Sequence, residues 1–240
     1  MKKLFYLAVM VLMCTSCSCN IANKDPNFSW FTFINGKGAL VTRDYDFKDF
    51  DAIRINGDID VRFLQAETFR VALRTQENIF DYIDLRVEGT TLVAEPEWDK
   101  VNGHFIRMTN YRGLDLTIYA PYLRDIDIRG DGDLAICHGY VSDGDLIITL
   151  YGDGDIDLAK ISVQSLTLGI EGDGDAELSG IHAKSLKINN EGDGSISISG
   201  EAEEASLTIN GDGDVDISNL KVKDPEKKHV HVSGDGNIQL

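Results

Sequence analysis

Six Gly-Asp-Gly tripeptides in the second half of the chain place a carboxylate at intervals of 19 to 23 residues. Calcium takes six to eight oxygen ligands, so a row of carboxylates is a candidate cation array. The same residue types suit sharp turns, because Gly adopts positive φ without steric cost and Asp accepts backbone hydrogen bonds. Neither the calcium-binding nonapeptide repeat nor EF-hand spacing occurs, so we favour solvated turns and keep calcium as the alternative. The ladder consists of Asp131, Asp153, Asp173, Asp193, Asp212 and Asp235.

Alternating apolar residues flank each tripeptide and predict the elements that position it. Ile156 and Leu158 alternate after the tripeptide at Gly152, and a second alternating run, 166–170, precedes the next tripeptide. Period-two alternation indicates β-strands with one buried face. One repeat of about 20 residues is therefore strand, turn, strand, turn, and so small a unit buries its apolar face only by stacking. We predict an all-β fold with a parallel β-solenoid, while an antiparallel array of hairpins is the alternative.

The first half of the chain is also β-rich but less regular. Alternation over 50–55, 59–63 and 69–73 predicts strands, whereas 101–112 has the weakest pattern and is expected to be a loop. The sequence therefore divides into a signal peptide (1–16), a tether and first strand (17–34), an irregular β-rich half (35–129) and a half with Gly-Asp-Gly corners and rungs of about 20 residues (130–240).

The first segment is typical of an export signal. Two lysines precede the ten apolar residues Leu4–Met13, which are too few to span a membrane as a helix. Thr15-Ser16-Cys17 resembles the end of a bacterial lipobox, although Cys14 stands where Leu is usual. We predict lipid attachment at Cys17, with Cys14 and Cys19 as the less favoured positions and a plain secreted protein as the alternative. The anchor would hold the chain at the outer membrane, on its periplasmic side or at the cell surface.

Charge and motif content exclude several classes of function. The chain has 23 Lys and Arg against 40 Asp and Glu, a net charge of -17, whereas nucleic acid binding depends on an excess of basic residues. No P-loop or Gly-x-Ser-x-Gly motif occurs, so no catalytic or cofactor-binding residue is assigned. Four aromatic residues outside the inward-facing pattern are anchors of caps and loops or contacts for sugar rings: Trp30, Trp98, Tyr111 and Tyr140. Trp98 is the candidate for ligand contact.

Several segments occur in an order that resembles a known family. They are FDAIRINGDIDVRF (50–63), ENIFDYI (77–83), VEGTTL (87–92) and APYL (120–123), followed by the repeated Gly-Asp-Gly-Asp. This order resembles the auto-transporter adhesin head GIN domain family, DUF2807, of exported Bacteroidetes proteins, over residues 35–240. The resemblance implies a right-handed parallel β-helix with a role in cell adhesion, and it supplies no catalytic residues.

Together these observations predict a non-enzymatic binding or adhesion protein of the cell envelope. Its partners would be the membrane, through the lipid, and a surface ligand that is either a protein or a glycan. Unpaired strand edges at the C-terminal end of a solenoid also predict self-association. Two alternatives stay open: a calcium-dependent structural envelope protein built on the Asp ladder, and a glycan-active enzyme on a β-helix scaffold. No cofactor is expected for the preferred function.

Overall fold

A computed structural model describes residues 31–99 and 104–240, and the described chain is almost entirely β. The strands of the first half are β1 (Phe31–Asn35), β2 (Leu40–Tyr45), β3 (Ala52–Asn56), β4 (Asp60–Gln65), β5 (Arg70–Gln76), β6 (Ile83–Glu88), β7 (Thr91–Pro96), β8 (Trp98–Asp99), β9 (His104–Thr109), β10 (Leu114–Ala120) and β11 (Asp125–Arg129). The strands of the second half are β12 (Leu134–Ile136), β13 (Tyr140–Val141), β14 (Asp145–Tyr151), β15 (Ile156–Ala159), β16 (Ile161–Glu171), β17 (Ala176–Glu191), β18 (Ile196–Asn210), β19 (Val215–Val222), β20 (Lys228–Ser233) and β21 (Ile238–Gln239). Two 3-10 turns, Phe80–Tyr82 and Pro225–Lys227, are the helical segments described, and neither has the length or apolar character to cross a bilayer.

The second half forms a parallel β-solenoid whose rungs have three faces. Face 1 contains the strand that follows each Gly-Asp-Gly corner, face 2 the strand that precedes the next corner, and face 3 the short segment between them. Every face pairs in parallel with the equivalent segment one rung later. Representative pairs are Asp157 with Glu177 on face 1, Ser162 with His182 on face 3, and Leu168 with Ile188 on face 2. The predicted β-solenoid with rungs of about 20 residues is confirmed.

Face 3 differs from the sequence-based prediction, in which the link between the two strands is a simple turn. Ile161 and Val163 within this link are buried, so the short segment contributes to the core as a strand does. Lys160 turns the chain from face 1 to face 3 with a φ of +57°, in the left-handed region that few non-glycine residues adopt. Gly180 takes the equivalent position one rung later, with a φ of +65°.

The core runs through all rungs as one continuous column of apolar side chains. The seven inward-facing residues of a single rung are all less than 9% exposed: Ile156, Leu158, Ile161, Val163, Leu166, Leu168 and Ile170. Burying a Leu or Ile side chain contributes about 1.5 to 3 kcal/mol relative to exposure. Each rung is therefore stabilised mainly by contact with the rungs above and below it.

The corner stack begins earlier than the first Gly-Asp-Gly tripeptide. Gly57 and Asp58, between β3 and β4, lie directly against Gly130 and Asp131 and form the first corner of the same stack. The β3 and β4 strands pair in parallel with β11 and β12, so they form the first rung. The chain then leaves the stack after β4 and returns at β11.

The inserted chain covers the first rung. On face 1, β10 pairs in parallel with β4, and β5 and then β2 continue in antiparallel order. On face 2, β7 pairs in parallel with β3, and β6 pairs antiparallel with β7. Antiparallel strands thus end the parallel stack at this side and protect its edge. The sequence predicts a loop over 101–112, and this prediction is wrong for His104–Thr109, which form β9 and pair in parallel with β1.

Candidate functional site

Two glycines in each tripeptide allow neighbouring corners to touch. A Cβ built on Gly172 would lie 2.6 Å from the carbonyl carbon of Gly152, and one on Gly174 would lie 2.7 Å from that of Gly154. Real Cβ atoms essentially never approach other atoms closer than 3.0 Å. The first glycine also has a φ of +151°, in a region that side chains rarely allow. Both glycines are therefore required by the close stacking of the corners.

The Asp residue between the two glycines links one rung to the next. Its Oδ1 atom accepts a hydrogen bond from the backbone N–H of the equivalent Asp in the following rung. Asp58 of the first corner, which is followed by Ile59 in place of the second glycine, accepts in the same way. The bonds to Asp58, Asp131, Asp153, Asp173, Asp193 and Asp212 are 2.9 to 3.1 Å long. A hydrogen bond to a charged acceptor contributes about 1.5 to 3 kcal/mol. These Asp side chains thus stabilise the stacking of the rungs by accepting backbone N–H groups of the next rung.

A second ladder runs beside the first, two residues later in each rung. Asp133 accepts from the N–H of Asp155 at 2.9 Å, and Asp155 accepts from that of Asp175 at the same distance. The ladder continues to Ser195, whose N–H donates to Asp175 at 2.7 Å. The corners therefore carry two parallel rows of Asp–amide hydrogen bonds. Sequence reasoning identified the turn role of these residues but placed their hydrogen bonds within a corner instead of between corners.

The described residues contain no group of three or more His, Cys, Asp and Glu side chains arranged to hold a metal ion. The Asp carboxylates are about 4.8 Å apart, one strand spacing, and each points along the solenoid to the next corner.

Two residues predicted from the sequence to carry a lipid or contact a ligand, Cys17 and Trp98, have no described side chain. Cys17 lies outside the described residues. Trp98 lies in β8, where its backbone pairs antiparallel with Phe105, and its side chain lies outside the described part of the chain. Neither contributes a described contact to a site.

Tyr140, by contrast, is an anchor in the core. Its side chain is 1% exposed, and its hydroxyl donates to the carbonyl of Leu123 at 2.6 Å and accepts from the Leu123 N–H at 3.0 Å. Its ring packs edge-to-face on Phe63. The aromatic ring thus ties the first rung to the second, and it is not available to a ligand.

The structure reveals a shallow groove of about 280 Å³ on the outer surface of face 2. The floor is Gly169, which lies in register between Thr149 on one side and Asn189 and then Thr208 on the other. A Cβ on Gly169 would meet its nearest neighbour, Thr149 Cγ2, at an ordinary 3.8 Å. Neither close packing nor positive φ requires a glycine there, in contrast to the corner glycines. The missing side chain leaves open space on an otherwise continuous surface.

Polar side chains and one aromatic ring border the groove on the side of the corners. Tyr151, Glu171, Glu191 and Asn210 occupy equivalent positions on four successive strands. Tyr151 is 38% exposed, and the Arg129 guanidinium lies over its ring, 5.3 Å from the centroid. The groove is therefore lined by hydroxyl, amide, carboxylate and aromatic groups, and none of its lining residues is basic.

Sequence reasoning missed this groove, although one signal for it was present. The outward positions of neighbouring rungs are Thr149, Gly169, Asn189 and Thr208, so a lone glycine replaces a polar side chain in the middle of a strand. A glycine inside a strand pattern commonly marks a bulge or a close approach of another backbone or ligand. That signal could only be interpreted once the rungs were aligned on their corners.

A protein-family model matches most of the chain. The family described as "Putative auto-transporter adhesin, head GIN domain" (DUF2807) matches residues 49–240. The match begins at the first rung and includes all seven corners. None of the curated proteins searched matches the sequence.

Solved structures share the fold of the chain. A protein of Parabacteroides distasonis described as "putative lipid binding protein" is 19% identical with a TM-score of 0.74, covering 87% of this chain and 99% of its own. A second protein of that organism, described as "putative adhesin", is 18% identical with a TM-score of 0.71, covering 86% of this chain and 84% of its own. A Bacteroides fragilis protein described as "a putative adhesin" is 22% identical with a TM-score of 0.57, covering 86% and 99%. At these identities the likeness concerns the fold.

Proposed function

The chain belongs to the auto-transporter adhesin head GIN domain family, and from this we propose that it is a non-enzymatic binding protein of the cell envelope. The observation that carries the proposal is the outer surface of face 2, a parallel sheet with a polar groove. A rigid solenoid presents such a surface at fixed spacing, as other repeat proteins present their binding surfaces. The adhesin descriptions of two structural neighbours are consistent with this role.

The arrangement of reactive groups favours binding over catalysis. Glycoside hydrolysis requires two carboxyl groups that flank the sugar bond from opposite sides. Glu171 and Glu191 instead lie side by side on neighbouring strands along the same border of the groove. Desolvation by neighbouring atoms, together with a hydrogen bond to Asp157 (3.2 Å) and the negative charge of that carboxylate, raises the pKa of the Cys137 thiol and disfavours its nucleophilic thiolate form.

Binding is tested with beads that carry the domain and are exposed to a panel of candidate ligands. Beads coated with the chain from residue 18 onward are expected to retain a glycan or matrix protein from a defined panel, while beads coated with the heat-unfolded chain retain none. Failure of the folded chain to bind any member of a broad panel, with release of reducing sugar from a glycan instead, would contradict the proposal and favour the enzyme.

The anchor at Cys17 belongs to the same proposal. Replacing Cys17 by Ser is expected to move the chain from the membrane fraction to the soluble fraction, because diacylation provides the two chains that stable anchoring needs. Fractionation of cells, followed by detection of the chain in each fraction, measures this. Cys19→Ser is the matched control and should leave the chain in the membrane fraction. The reverse result would assign the lipid to Cys19.

Self-association is proposed through the C-terminal end of the solenoid. In the described chain, β20 and β21 pair on one side only, with β18 and β19. Ile238, within β21, is 46% exposed, and Leu240, directly after that strand, is 70% exposed. Unpaired strand edges of this kind favour pairing with another chain.

A further inference from the structure

We propose that the groove over Gly169 binds a saccharide that carries no negative charge, with Tyr151 as the contact for a sugar ring. This inference rests on the proposed binding function and names the ligand class of that function. It is independent of the Asp ladder and of the lipid anchor.

The hydrogen-bonding groups of the groove match those of a sugar. Thr149 and Thr208 offer hydroxyl groups, and Asn189 and Asn210 offer amides, so both donors and acceptors line one surface. Saccharide hydroxyls donate and accept in the same way and are spaced around a ring. Thr149 lies on β14, Asn189 on β17, and Thr208 and Asn210 on β18, while Gly169 on β16 leaves the space between Thr149 and Asn189 open. Neighbouring strands are about 4.8 Å apart. Such a row suits an extended chain of sugar units crossing the strands.

Tyr151 supplies the apolar contact that sugar recognition also needs. The C–H groups on one side of a pyranose ring form an apolar patch, and an exposed aromatic ring is its natural partner. Arg129 lies over the Tyr151 ring at 5.3 Å and is itself bonded to Asp127 at 3.2 Å. Tyr151 is thereby held in one orientation, so little side-chain entropy is lost when a ligand binds.

The charge of the groove selects among saccharides. Glu171 and Glu191 lie in register on its border, and the lining residues include no Lys, Arg or His. The cation nearest Tyr151, Arg129, is paired with Asp127 at 3.2 Å, so its charge is offset. Two neighbouring carboxylates repel a third, so uronates, sialic acids and sulfated sugars are disfavoured. The net charge of the whole chain, -17, acts in the same direction. Neutral sugars and amino sugars are the compatible classes.

A peptide is a poorer match for this surface. Extended peptides bind by pairing with a free strand edge, but the strands under the groove, β14 to β18, are paired on both sides. Peptides bound through side chains need apolar pockets for their anchors, whereas this groove is shallow and mostly polar.

The test fills the groove without disturbing the fold. Gly169→Thr introduces the side chain that occupies the equivalent position at Thr149 and Thr208, and the nearest atom to its Cβ lies at 3.8 Å. The melting temperature should therefore stay constant or rise, because Thr favours strands and Gly does not. Ser165→Thr is the matched control, since it adds one methyl group to an outward position of the same strand outside the groove.

Binding is measured with the full mature chain in detergent on an array of neutral, amino and acidic glycans, beside matrix proteins. We expect wild type and Ser165→Thr to bind neutral or amino sugars. Gly169→Thr and Tyr151→Ala should each weaken binding about tenfold, which corresponds to roughly 1.4 kcal/mol.

The outcomes separate this inference from the function on which it rests. Binding of wild type to acidic glycans or matrix proteins alone overturns the saccharide proposal and leaves the binding function intact. Equal sugar binding by wild type and Gly169→Thr also overturns it, because the ligand then lies elsewhere. Binding to none of the glycans or proteins overturns both.

Discussion

Replacing Gly172 by Ala is expected to lower the free energy of unfolding by at least about 4 kcal/mol, or to prevent folding. The new Cβ would lie 2.6 Å from the carbonyl carbon of Gly152, and the φ of +151° would remain. Backbone atoms on both sides of the clash belong to stacked corners and cannot move without breaking the parallel pairing of two rungs. Chemical denaturation followed by circular dichroism measures the loss.

The control for this variant lies in the same rung. Gly169→Ala adds the same methyl group where the nearest atom lies at 3.8 Å, so its free energy of unfolding should change by less than about 1 kcal/mol. If Gly172→Ala is as stable as Gly169→Ala, the corners are not packed as closely as the structure describes.

Removing four carboxylates of the ladder together should distinguish their hydrogen bonds from their charge. Asp131, Asp153, Asp173 and Asp193 each accept the N–H of the following rung at 2.9 to 3.1 Å. Replacing all four by Ala leaves four amides without this partner and should cost roughly 4 kcal/mol or more in the free energy of unfolding.

The matching variant replaces the same four residues by Asn. Its side-chain carbonyl can accept the same N–H, while the repulsion between neighbouring carboxylates is removed. We expect its stability to lie within about 1 kcal/mol of wild type, measured by the same denaturation. An Asn variant as unstable as the Ala variant would show that negative charge is itself required, as a cation array would demand.

The repeat made the solenoid predictable from the sequence, because identical residues at identical positions are stacked in register. The third face was not predictable, since Ile161 and Val163 form too short a run to indicate a strand. The turn before them depends on Lys160, a residue that does not indicate positive φ. The first corner at Gly57 was missed for a different reason. Asp58 of this corner and Asp131 of the next are 73 positions apart, because the inserted chain lies between them, so no period connects the two corners.

The candidate site was less accessible to sequence reasoning than the fold. Tyr140 and Tyr151 are both tyrosines outside obvious turns, yet one is 1% exposed and the other 38%. Their difference depends on which face of which rung each occupies. Gly169 can be recognised as the floor of a groove only when it is compared with its neighbours on adjacent strands. These neighbours are spaced 19 or 20 residues apart in the sequence. A binding surface on a solenoid is thus formed by residues from several repeats, which are distant in the sequence.

The central claim is that the Asp ladder holds the rungs together through backbone amides, leaving the outer surface for ligand binding. Thermal unfolding in chelator, in millimolar calcium and in the same concentration of magnesium tests it most directly. We predict that the melting temperatures in calcium and magnesium agree within about 2 °C, because both ions only screen exposed charges. A site with micromolar affinity would add about 4 kcal/mol at millimolar calcium, a rise of roughly 10 °C. A rise of that size specific to calcium would contradict the claim and make the ladder a cation array.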